Sequence, residues 1–135
     1  MIPLPAAPFR KILHDKFFIK SKIQRELIAE FFCTWFLMFA GIAINLNNTV
    51  RKGPGLTFME GEVGWILVVF MAIQMGFSIS GSHMNPAFSL FAVTQGTLTF
   101  IHFIYYAIAQ FLGAFCGAAL AYFCFIGEFL LTWST

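Results

Sequence analysis

Ser80-Gly81-Ser82-His83-Met84-Asn85-Pro86-Ala87 lies between two long apolar stretches and opens a third apolar segment, Pro86 to about Thr94. That segment is too short to cross a bilayer: nine residues rise roughly 14 Å, half of a ~30 Å hydrocarbon core. Asn-Pro-Ala reads as a helix start, with Asn85 as N-cap and Pro86 at the first helical position, where its fixed φ fits and its missing N–H is no loss. A helix that begins inside a membrane points unpaired N–H groups and a partial positive charge inward. Irregular backbone at that depth survives only when buried in protein or lining a water-filled cavity. The stretch therefore points to a pore.

The rest of the chain agrees with a membrane setting. Of its 135 residues, 59% are hydrophobic, 19% aromatic and only 10% charged, against about 25% charged in soluble domains. The formal net charge is +2, but Arg10, Lys11, Lys16, Lys20, Lys22 and Arg25 all precede the first long apolar run. A nucleic-acid arm would need a base-reading module beside it. None is present, so residues 1–25 read as a basic cytoplasmic flank under the positive-inside rule, with no nucleic-acid partner. Met1 to Phe9 is expected to be disordered, and Arg10 to Gln24 to lie as a short helix on the membrane surface. No small-residue cleavage site follows the first apolar run, so no signal peptide is expected.

Residues 26–135 read as an all-α membrane unit: three transmembrane helices plus one re-entrant half-helix. The spans are expected at about 27–46, 63–80 and 98–126, and the half-helix at about 86–94. Asn47 to Gly61, with Gly53-Pro54-Gly55, reads as an outer loop, and Gln95-Gly96-Thr97 as a turn. Asn47-Asn48-Thr49 matches a glycosylation sequon, but so near the membrane that no modification is expected. Cys33, Cys116 and Cys124 lie inside apolar runs without metal-ligand spacing and are expected to be buried free thiols. Neither a metal nor a cofactor is called for, and no catalytic constellation points to an enzyme. Ala109, Gly113, Gly117 and Ala121 form a small-residue stripe, expected to pack inside the chain's own bundle. Gln74 and Gln110 are expected to make interhelical hydrogen bonds.

Three motifs in order resemble the major intrinsic protein family, the aquaporins and aquaglyceroporins. The stretch Ser80 to Ala87 is similar to the family's first Asn-Pro-Ala loop. Ala29-Glu30-Phe31-Phe32-Cys33-Thr34 resembles its first-span signature, and Ala109-Gln110-Phe111-Leu112-Gly113-Ala114 with Gly117-Ala118-Ala119 its third-span signature. The resemblance covers roughly Glu26 to Tyr122. It implies two inverted repeats whose half-helices meet at mid-membrane, with their Asn residues facing a pore. One such repeat is present here, without a second Asn-Pro-Ala or the filter arginine the family carries just after it.

Residue by residue, the resemblance implies a pore wall of Gly81, Ser82, His83, Met84, Asn85, Pro86 and Ala87. Gly81 allows close backbone approach. Asn85 caps the half-helix through its oxygen and offers its NH₂ to a passing solute. Glu30 is expected to brace the loop that carries His83, with Gln110 as a second support. Trp65 stands twenty residues before Asn85, the place of an outer-filter aromatic; glycerol facilitators carry Trp there, many water channels Phe. Its other reading is an interfacial belt residue. Phe88 and Ser89 stand where members often have Val and Thr, a departure expected to change no role.

The expected function is a passive channel for water and small uncharged polyols such as glycerol, present as a half-pore. The alternatives are a water-selective half, or a non-conducting partner of full-length channels. The expected partners are water, small neutral solutes and the lipid bilayer, with a homotetramer implied by the family. The expected location is the plasma membrane, as a multi-pass protein with a cytoplasmic N-terminus.

Overall fold

The computed structural model describes residues 19–50 and 55–133. The described residues form four helices: α1 (Lys22–Val50), α2 (Phe58–Gly76), α3 (Pro86–Thr94) and α4 (Phe100–Trp133). Three of them, α1, α2 and α4, are long and apolar enough to cross a membrane; the nine-residue α3 is not. The expected disorder of residues 1–9, and most of the expected surface helix, lie outside the described residues. Within them, residues 19–21 are irregular and Lys22 to Gln24 form the first turn of α1 rather than a separate helix. Arg25 Nη1 donates to Ile19 O at 2.9 Å, drawing the preceding chain back over that turn.

The burial pattern is inverted relative to a soluble bundle. Large side chains such as Ile28, Phe32, Phe70, Phe111, Phe115 and Phe123 are exposed, whereas the buried apolar set is Ala29, Cys33, Val50, Ala72, Ala92, Tyr106, Ala109 and Ala121. With lipid as solvent, burial of Leu or Phe gains little, and close approach of small residues drives helix association. The stripe on α4 shows the consequence. A Cβ on Gly113 would run into the Phe31 carbonyl oxygen, and one on Gly117 into that of Trp35. The two backbones are therefore nearly in contact, and the stripe serves α1–α4 packing within this chain. On its other flank α1 packs against α2, of which only Ala72 and Gly76 are buried.

Caps set the helix ends. The start of α2 is a capping box: Thr57 Oγ1 accepts from Glu60 N at 3.3 Å, and Glu60 Oε2 accepts from Thr57 N at 2.7 Å. The helix therefore begins within the stretch read as loop, five residues before Val63. Asn47 to Val50 likewise continue α1, because Thr49 Oγ1 donates to Asn45 O at 3.0 Å and Asn48 Oδ1 takes the Leu56 N–H at 2.7 Å. The latter bond also folds the chain toward α2. The opposite end of α2 stops at Gly76, and residues 77–80 form turns.

A Schellman turn reverses the chain after α3. Gly96 N–H donates to Val93 O (2.9 Å) and Thr97 N–H to Ala92 O (3.0 Å), with Gly96 at φ +68°, the left-handed position glycine fills without penalty. Ser80 before α3 and Thr97, Leu98 and Thr99 after it line one cavity of about 310 Å³, together with Lys22 and Glu26 of α1 and His102 and Tyr106 of α4. The segment between α2 and α4 thus enters and leaves on the side where α1 begins, as a re-entrant half-helix must.

Of the three thiols, Cys33 is buried, but Cys116 and Cys124 are exposed on α4, against the expectation from sequence. An apolar run puts a thiol out of water and says nothing about whether lipid or protein surrounds it.

Replacing Gly117 by Val is expected to push α1 from α4 and to cost about 1–3 kcal/mol or more, as overpacking does. The check is the thermal unfolding midpoint in detergent, set beside Gly127→Ala, where no atom lies within 4 Å of the added Cβ.

Candidate functional site

Glu30 is fully buried (0% exposed) at the crossing of α1 with the loop before α3. Its carboxylate accepts four hydrogen bonds. Oε1 takes Ser80 Oγ at 2.6 Å and His83 N at 2.9 Å; Oε2 takes Met84 N at 2.8 Å and Gln110 Nε2 at 2.8 Å. An ionised carboxylate has about four lone-pair sites and no donor, so its capacity is filled. These bonds fold a backbone that would otherwise resist: Gly81 has φ +88°, Ser82 +50° and Met84 +51°. Left-handed non-glycine residues cost about 1–3 kcal/mol each, while charge-assisted hydrogen bonds return about 1.5–3 kcal/mol each.

Holding the amides fixes the carbonyls. The described peptide bonds are trans, so each C=O points opposite to the N–H of its own peptide unit. With the His83 and Met84 N–H groups on Glu30, the Ser82 and His83 carbonyls point away from the carboxylate. Gly81, Ser82, His83 and Met84 also border a cavity of about 280 Å³ shared with Ile73 of α2, Phe77 just after it and Phe88 of α3. Ser82 is tied further, its N–H to Ser80 Oγ at 3.1 Å and its hydroxyl to Ile73 O at 2.9 Å.

At the start of α3, Asn85 has extended backbone (φ −151°, ψ 124°), and its Oδ1 accepts from Ala87 N at 2.8 Å. Pro86 occupies the first helical position. The cap uses the oxygen and leaves the Asn85 NH₂ without a partner among the described residues, on an exposed side chain. Two donors and the positive end of a helix dipole therefore converge at one exposed point. That arrangement suits an uncharged oxygen and repels a cation.

His83 and Ser89 are joined through Nδ1 and Oγ at 3.1 Å, and Gln110 Nε2 reaches Ser89 Oγ at 3.0 Å as well as Glu30. Ser89 is fully buried and Gln110 is 1% exposed. Gln110 Oε1 has no hydrogen-bond partner among the described residues, because the carboxylate draws the amide nitrogen toward itself. Tyr106 donates its hydroxyl to Ser80 O at 3.2 Å, tying α4 to the loop. Glu30, Ser80, Gly81, Ser82, His83, Met84 and Gln110 are thus brought together, with Asn85, Pro86 and Ala87 at their edge.

Trp65 stands apart from this group. Its Nε1 donates to Asn45 Oδ1 at 3.2 Å, and its ring lies over Gly41, where a Cβ would collide with the six-membered ring. Gly41 is what allows the indole to rest on α1. Gln110 makes the interhelical bonds expected of it, whereas Gln74 is exposed on α2. The sequence pattern did not single out Ser89 or Tyr106. A hydroxyl in the interior of a nine-residue apolar helix, four residues after its cap, was the available signal for Ser89. Among the described residues no three His, Cys, Asp or Glu side chains gather as metal ligands.

The family described as "Major intrinsic protein" matches residues 18–132. Aquaporin-9 of Rattus norvegicus is 35% identical over 116 residues, which is 84% of this chain and 38% of that protein. An aquaglycerol porin of Saccharomyces cerevisiae is 33% identical over 99 residues, 73% of this chain and 15% of that one. Among solved structures, an aquaglyceroporin from Plasmodium falciparum superposes with a TM-score of 0.76 at 31% identity, covering 82% of this chain and 45% of that chain. The chain spans less than half the length of these relatives.

Glu30→Gln offers one acceptor oxygen and two unwanted hydrogens to four donors. It is expected to destabilise the protein by roughly 3 kcal/mol or more, the cost of stranding donors of a charged hydrogen-bond cluster. The readouts are the unfolding midpoint and protease cleavage within residues 80–84; a variant as stable and as resistant as the wild type would contradict this account of the loop.

Proposed function

The chain belongs to the major intrinsic protein family, and from that premise we propose that it forms one half of the wall of a passive membrane channel for water and small uncharged polyols such as glycerol. The observation that carries this reading is the exposed Asn85 tip of a half-helix, beside a loop whose Ser82 and His83 carbonyls are turned away from Glu30. A neutral hydroxylated solute both accepts and donates. It can therefore exchange hydration for the Asn85 NH₂ on one side and the carbonyls on the other. The half-helix dipole disfavours cations and orients water by its oxygen, a barrier to proton wires already recognised for such pores.

In this reading Trp65 offers its indole face to the carbon skeleton of a polyol at the outer end, with its Nε1 hydrogen held by Asn45. The basic flank keeps the N-terminus cytoplasmic in the plasma membrane, and the assembly is a homotetramer, as in the family. Exposed Phe58, Ile66, Phe70 and Met71 on α2, with Phe88 and Phe91 on α3, favour a second reading, in which the chain associates with full-length channels without conducting.

Light scattering of proteoliposomes tests the first reading, using the full chain that carries these residues. Osmotic shrinkage and glycerol uptake are both expected to exceed those of empty vesicles, with Trp65→Phe lowering glycerol uptake more than water flux. Control rates for both solutes would reject the channel. Control rates combined with co-purification of a full-length homologue would favour the second reading.

A further inference from the structure

His83 is gripped at one ring nitrogen and open at the other. We propose that Ser89, backed by Gln110, is a positioning residue that fixes His83 as the neutral Nε2–H tautomer, so that the ring donates to the oxygen of a passing uncharged solute. The hydrogen-bond direction rests on geometry alone; the solute rests on the channel reading above.

The protons can be followed one by one. The Glu30 carboxylate only accepts, so it takes one of the two Gln110 Nε2 hydrogens and settles which end of that amide faces it. The second hydrogen goes to Ser89 Oγ at 3.0 Å. Ser89 Oγ is thereby an acceptor, and its own hydrogen is left for His83 Nδ1 at 3.1 Å. In the reverse arrangement, with Nδ1–H donating, the Ser89 hydroxyl hydrogen would need another acceptor in a fully buried position. Among the described residues Ser89 Oγ bonds to Gln110 Nε2 and His83 Nδ1 and to no carbonyl, and Asn85 O takes the Ser89 N–H but not the hydroxyl. Leaving a buried hydroxyl hydrogen unpaired is costly, so Nδ1 stays bare and Nε2 carries the proton.

Two neighbouring rings restrain the imidazole in this orientation. Phe88 and Tyr106 meet it edge-on, with centroids 5.0 and 5.4 Å away. Nε2 has no partner among the described residues, and His83 borders both cavities of the site, the one beside Lys22, Glu26 and Tyr106 and the one beside Ile73, Phe77 and Phe88. A donor at that junction complements the carbonyls of the loop, which supply acceptors only. Ser89 thus adds to the Asn85 NH₂ a second donor site in the wall, from a buried position of its own.

The test is the ¹⁵N spectrum of histidine-labelled protein in lipid nanodiscs. Two substitutions, His14→Gln and His102→Gln, remove the other histidines and leave His83 as the sole signal. At neutral pH the expected pattern is a pyridine-like Nδ1 and a pyrrole-like Nε2. Ser89→Ala is expected to draw the two shifts toward each other as the tautomers exchange, and Ser89→Thr to restore the original pattern. A pyrrole-like Nδ1 in the wild type, or a Ser89→Ala spectrum identical to it, overturns the proposal. Where Ser89→Ala does not fold, the wild-type and Ser89→Thr spectra decide: a pyridine-like Nδ1 in both supports the assignment, and a pyrrole-like one in either overturns it. Permeability of the unsubstituted chain separates the two readings, since control-rate flux there with a pyridine-like Nδ1 in the labelled protein rejects the channel and supports the tautomer.

Discussion

The carboxylate of Glu30, buried where α1 meets α4 and the loop before α3, is the constraint on which the rest of the site depends. Its oxygens collect donors from Ser80, His83 and Met84 in the loop and from Gln110 on α4. An ion so placed is tolerable only because every lone pair is used. In return it dictates the course of the loop: the left-handed turns at Ser82 and Met84, the outward direction of the carbonyls and the position from which α3 starts. Without the charge, the His83 and Met84 amides lose their acceptor, and the loop keeps only the bonds of Ser82 to Ser80 and Ile73, of His83 to Ser89 and of Tyr106 to Ser80.

The bundle around Glu30 is built so that its placement does not drift. Glycines at 113 and 117 let α4 lie almost on the backbone of α1, which carries Glu30 and Gln110 to bonding distance across the interface. Tyr106 adds a bond from α4 to the loop. By contrast α2 buries only Ala72 and Gly76 and adds Trp65, which rests on Gly41 and bonds Asn45, while α3 is held at its middle by the buried Ser89. Lipid gives no hydrophobic reward for burying large side chains, so the energy of assembly resides in close backbone approach and a small number of buried polar contacts.

How much of this could be read beforehand differs from residue to residue. The Asn85 cap and Pro86 were legible because capping is local: the side chain and the N–H groups it serves are two residues apart. So was the turn at Gly96. The capping box at Thr57 and Glu60 was equally local and present in the letters, yet the polar run around it read as loop, so α2 starts earlier than its apolar stretch. Cys116 and Cys124 read as buried and are exposed, since hydrophobicity in a membrane helix does not distinguish lipid from protein. Ser89 read as a neutral departure and is instead fully buried between His83 and Gln110.

By itself the sequence determined the number of long apolar helices, the half-length of α3, the point where it begins and the family to which its motifs belong. Those follow from periodicity, length and capping, all properties of neighbours along the chain. The tertiary structure alone decided what meets Glu30, since its partners lie 50 to 80 residues away. It also decided that Trp65 rests on Gly41 and that Ser89 joins His83 to Gln110. Which donor faces which acceptor depends on how α1 and α4 cross, and that crossing is set by backbone contact between glycines and carbonyls that no local pattern encodes.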